Sequence, residues 1–107
     1  MSIIDKIYTL NRKNRNYNYE IKQINKNVYS IYSKKYFFDS WIIKLYSDEI
    51  HLYHKNRNSR KQQYHKQCVI KNTHWKRILK TIHEHNLTKS FNRINTVDYV
   101  FAKYNIK

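Results

Sequence analysis

Six histidines and seven carboxylates are the side chains of this sequence best able to hold a metal ion or move a proton. Their spacing argues against both when pairs are taken along the chain. His51-x-x-His54 falls on an expected strand, where residues three apart point to opposite faces. His83-Glu84-His85 falls on an expected helix, where neighbours diverge by about 100 degrees. With one cysteine and no second pair at metal spacing, zinc is not expected, and no cofactor is assigned.

The carboxylates Asp5, Glu20, Asp39, Asp48, Glu49, Glu84 and Asp98 are scattered, whereas a metal-dependent nuclease needs two or three converging on Mg²⁺. Asp39, Glu49 and Lys44 would converge only if their hairpin curled, and Asp48-Glu49 is explained as turn chemistry. A metal-independent RNase would draw on His, Arg, Lys and Tyr. Arg77 and His83 suit it by type, but six residues along a helix puts them about 240 degrees apart. The chain contains no glycine, so the usual phosphate-cradling loops are excluded. Cys68, inside an expected strand, reads as core and not as nucleophile.

What remains is charge. The 107 residues carry 22 Lys+Arg against 7 Asp+Glu, a formal +15. Abundant Lys, Asn, Ile and Tyr, with no Gly or Pro and Ala102 as the lone alanine, are the pattern of an AT-rich gene. That bias inflates lysine and tyrosine, but it does not suppress Asp and Glu, whose codons need a single G. The cationic excess is therefore read as functional: it sets up a positive potential of several kT, which attracts phosphate polymers.

Three basic clusters stand out: Arg12, Lys13 and Arg15; Lys55, Arg57, Arg60 and Lys61; and Lys76, Arg77 and Lys80. Tyr46 and Tyr53, with Lys44 between them in space, are the expected base-stacking positions, each stacked base contributing ~1–3 kcal/mol.

The elements that must position these residues follow from periodicity. Ser2 caps a short helix carrying Ile3, Ile7 and Leu10, with Asp5 near its positive end. Tyr17–Ile24 and Val28–Ser33 read as strands joined by Asn25-Lys26-Asn27, with Ile21 opposite Ile31 and Asn27 left-handed. In a hairpin of Trp41–Tyr46 and Glu49–His54, with Ser47-Asp48 at the turn, Leu45 faces Ile50 and Ile43 faces Leu52. On the other face Lys44 meets His51, Tyr46 meets Glu49 and Ile42 meets Tyr53. Residues 55–62 read as a basic loop, Tyr64–Ile70 as a further strand, and Tyr36–Phe38 as a strand or a core plug. Thr73 is expected to cap a helix with Trp75, Ile78, Leu79 and Ile82 on one stripe. Thr96–Tyr104 has helical spacing at Val97, Val100, Phe101 and Tyr104.

The expected fold is one α+β domain over residues 1–107: an antiparallel sheet of four to five strands, with an N-terminal helix and one or two C-terminal helices packed on one face. The other sheet face is left half-polar and rich in Lys and Tyr. No apolar run is long enough to span a membrane and no signal peptide is evident, so a cytoplasmic, intracellular protein is expected. The expected function is non-enzymatic binding of nucleic acid, DNA or RNA, alone or in a nucleoprotein complex, for a phage, mobile-element or organelle gene. A second expectation is an inhibitor or adaptor that meets an acidic or nucleic-acid-binding surface of a partner protein, such as a host defence nuclease. A metal-independent RNase is the third.

Overall fold

The computed structural model describes residues 2–34, 39–56 and 63–94. The expected elements Tyr36–Phe38 and Thr96–Tyr104, and the basic residues Arg57, Arg60 and Lys61, lie outside the described residues.

Helix α1 spans Ile3–Lys13. The Ser2 hydroxyl accepts from the Asp5 backbone N–H at 3.2 Å and donates to the Asp5 carboxylate at 2.8 Å. One serine thus satisfies a first-turn amide and fixes an acid beside the positive helix end. The helix stops at Asn14, whose extended backbone (ψ 118) leaves the helical region.

Five strands follow in one antiparallel sheet: β1 Glu20–Asn25, β2 Val28–Tyr32, β3 Asp39–Leu45, β4 Glu49–Asn56 and β5 His65–Lys71. Spatial order equals chain order. Ile21 pairs Ile31 as expected, and Asn27 takes φ 69, a left-handed turn built without glycine. The β3–β4 hairpin has the expected register: Leu45 opposite Ile50, Ile43 opposite Leu52, Lys44 opposite His51 and Ile42 opposite Tyr53.

Several boundaries differ: β3 begins at Asp39 and not at Trp41, and β4 runs on to Asn56, which puts Lys55 in a strand and not in the expected loop. Strand β1 starts at Glu20 and not at Tyr17, because Asn18 turns the chain at φ 64 and Asn11 claims the next backbone. The Asn11 amide donates to Tyr19 C=O at 2.9 Å, and its oxygen accepts from Tyr19 N–H at 2.8 Å. Thr73 does not cap the long helix either. Asn72–His74 form a 3-10 turn, and α2 runs Arg77–Ile94. The Asn72 side chain instead donates to Ser47 C=O at 2.9 Å, tying this turn to the β3–β4 turn.

Alternation along β3 and β4 sends Trp41, Ile43, Ile50, Leu52 and His54 to one face. There the four apolar residues join Ile7 of α1 and Ile78, Leu79 and Ile82 of α2 in one core. Burying each large apolar side chain stabilises the fold by about 1.5–3 kcal/mol. Both helices therefore occupy the same side, and no described element covers the other.

Candidate functional site

The uncovered face is built by the residues that alternate with the core. Lys22, Ser30, Ile42, Tyr53 and Lys66 form one continuous row across all five strands, each paired with the next. The neighbouring row runs through Val28, Lys44, His51 and Val69. Ser40 and Lys55 pair on the other side of Tyr53.

Lysines and aromatics are interleaved on this face. Lys44 Nζ lies 4.8 Å from the centroid of the Tyr53 ring. Lys55 Nζ lies 5.6 Å from that of Tyr64, and Lys22 Nζ 6.0 Å from that of Tyr32. The Tyr46 and His51 rings pack at 4.3 Å. Each ammonium sits where the ring quadrupole attracts it, which spreads rings and charges alternately over the surface. The acids here are already engaged: Glu49 accepts from His51 at 2.7 Å, and Glu20 pairs with Lys34 at 3.1 Å. The face carries net positive charge. Tyr46 is 48% and Tyr64 38% exposed, so both residues are accessible from solvent.

Among the expected site residues, the fold gathers Lys44, Tyr46, Tyr53 and Lys55 on this surface. It places Lys76, Arg77 and Lys80 elsewhere, exposed at the start of α2 on the helical layer, with Lys76 Nζ 5.8 Å from the Trp75 ring centroid. Arg12 and Lys13 lie in the last turn of α1, where positive charge stabilises the helix end. Arg15 lines a cleft of about 490 Å³ beside Tyr17, Lys34 and His83. Lys22, Tyr32, Lys66 and Lys71 complete the cationic face. Sequence reading missed the three lysines because β1 and β5 lack the two-sided alternation that fixed the central hairpin.

Arg77 and His83 do not form a site together. Arg77 is exposed, whereas His83 is half-buried at 5.5 Å from the Tyr17 ring and 3.3 Å from the Tyr19 hydroxyl. Asp39 and Glu49 fall at opposite ends of the hairpin and on opposite faces. Cys68 packs against the core, where burial pushes its thiol up from the ordinary range and suppresses the nucleophilic thiolate.

A second polar cluster lies on the inner face at the far end of the core. His54 Nε2 is 2.7 Å from Asp39 Oδ1 and His85 Nδ1 is 3.7 Å from Asp39 Oδ2. Trp41 covers both imidazoles, with ring centroids 4.5 Å from His54 and 5.0 Å from His85.

No helix among the described residues is long and apolar enough to cross a membrane. Comparison with protein-family models, with curated proteins and with solved structures finds no match to this chain.

Proposed function

We propose that the protein binds single-stranded nucleic acid along the uncovered sheet face, as a binding protein and not as an enzyme. The observation that carries this reading is the alternation of lysines with tyrosines on that face, with Lys44 over Tyr53 at its centre and Tyr46 and Tyr64 exposed beside it. A strand of unpaired bases offers what this surface can use: π-faces to stack on tyrosine and phosphates to neutralise lysine. A duplex presents its phosphates but hides its base faces, so it would use half of the surface. The formal charge of +15 adds long-range attraction for any phosphate polymer.

The test is fluorescence anisotropy with single-stranded and double-stranded oligomers, DNA and RNA, across a salt series. Single strands should bind more tightly than duplexes, and affinity should fall steeply with salt. At about 0.7 in log–log slope per phosphate on a single strand, neutralising six to ten phosphates should make affinity drop roughly 10²–10⁴-fold between 50 and 200 mM salt. Equal affinity for duplex and single strand, or binding indifferent to salt, removes the reading.

A further inference from the structure

We propose that Asp39, His54 and His85 form a zinc site that clips α2 to the sheet. The three ligands come from three elements: the first residue of β3, the far end of β4 and the middle of α2. Each histidine pair is split along the chain, as its spacing requires. His51 and His54 face opposite sides of β4, and His83 and His85 diverge around α2. Folding brings one member of each pair to the same carboxylate.

The geometry suits a small divalent ion. One donor atom from each residue lies within 4.8 Å of the other two. Zinc bonds to nitrogen and carboxylate oxygen are about 2.0–2.2 Å, so tetrahedral ligands stand about 3.3–3.5 Å apart. His54 Nε2 lies 2.7 Å from Asp39 Oδ1 and His85 Nδ1 lies 3.7 Å from Asp39 Oδ2, so each imidazole stands beside one carboxylate oxygen, and the three donors would draw in to that spacing around an ion. Asp39 is 2% exposed, so it offers a buried anionic oxygen donor of the type zinc accepts. A metal ion would take the position that the His54 Nε2 hydrogen otherwise occupies.

The surroundings support ligation. His65 Nε2 lies 3.4 Å from His54 Nδ1, on the ring nitrogen turned away from Asp39. When His54 Nδ1–H donates to His65, the Nε2 lone pair is left for the metal, the usual arrangement behind a histidine ligand. Trp41 forms an apolar wall against both imidazoles. The His85 side chain is 30% exposed and marks the way in from solvent. Two histidines and one carboxylate leave a fourth position open to water. A clip of this kind suits a small domain, because metal binding adds directly to folding.

The experiment uses untagged, chelator-stripped protein titrated with ZnCl₂ by calorimetry, with thermal unfolding measured alongside. One zinc should bind per chain with micromolar or tighter affinity, and the unfolding temperature should rise by at least about 5 °C under saturating zinc. His85→Ala and Asp39→Asn should each abolish that binding. His65→Gln should weaken it about 10- to 100-fold, as removal of an orienting partner does. His74→Ala, at an exposed histidine outside the cluster, should leave it unchanged. Far-ultraviolet circular dichroism establishes that each variant is folded, and the half-exposed His85 keeps the test open if Asp39→Asn is not. Co²⁺ should quench Trp41 fluorescence in a Trp75→Phe background. Absence of one-to-one binding, or binding that survives His85→Ala, overturns the site.

Discussion

Lys44 Nζ stands 4.8 Å from the centroid of the Tyr53 ring, across a diagonal of the β3–β4 pair. This puts a cation over an aromatic ring on the face that no described element covers. It also holds the long lysine side chain in place, which lowers the entropy cost when a phosphate arrives.

If Tyr53 stacks a base, removing its ring matters and removing its hydroxyl does not. Tyr53→Ala should cost ~1–3 kcal/mol of binding, about 5- to 150-fold in affinity. Tyr53→Phe should bind within about two-fold of wild type. Anisotropy on one single-stranded oligomer decides it, and equal weakening in the two variants would remove Tyr53 from the stacking surface.

Charge should act by location, not by sum. Changing Lys44, Lys55 or Lys66 to Gln should lower the slope of log affinity against log salt by about 0.7 for each phosphate left without its cation. The same change at Lys76, Arg77 and Lys80 should leave the slope alone, because those residues sit on the helical layer. Similar slopes for both sets would mean that only the overall charge is read.

The turns made without glycine carry their own test. Asn27 sits at φ 69, which a β-branched side chain resists. Asn27→Val should cost about 1–2 kcal/mol in urea unfolding. Asn27→Gly should be tolerated within about 1 kcal/mol. A neutral Asn27→Val would show that the turn relaxes.

Cys68 should be slow to react. Its thiol is raised by burial, so the folded state favours the neutral form. That contribution to stability is complete below the unfolded thiol's range and is lost as pH rises through the higher folded value. Iodoacetamide should label the native protein more slowly than the urea-unfolded chain at the same mildly alkaline pH. Comparable rates would place the thiol in solvent.

The sheet was legible where both faces of a hairpin sorted at once. In 41–54 a single register puts Trp41, Ile43, Leu45, Ile50 and Leu52 on one side and Lys44, His51 and Tyr53 on the other, and a one-residue slip inverts all of them. The start of β1 was not legible. It depends on Asn11 bracketing the Tyr19 backbone from eight residues away, and side-chain capping at that distance leaves no periodic mark. The helix after β5 began late for a related reason: Asn72 is spent on Ser47, a hydrogen bond that exists only after the hairpin has folded.

The stacking face was read in part. Lys44, Tyr46 and Tyr53 follow from the hairpin alone, but Lys55, expected in a loop, joins them because β4 runs on to Asn56, and Lys22 and Lys66 only through the order of all five strands. The Asp39–His54–His85 cluster was invisible to pairwise spacing, because a site with one ligand from each of three elements has no motif. The signal that could have found it was a pair of polar residues, Asp39 and His54, at inward positions of otherwise apolar strands.

The most direct measurement is amide chemical-shift mapping of the isotope-labelled protein titrated with a single-stranded oligonucleotide. Perturbations should concentrate on Lys44, Tyr53, Lys55 and Lys66 and spread along β3, β4 and β5. Shifts confined to the start of α2, around Lys76, Arg77 and Lys80, with the sheet unmoved, would contradict a strand bound on the uncovered face.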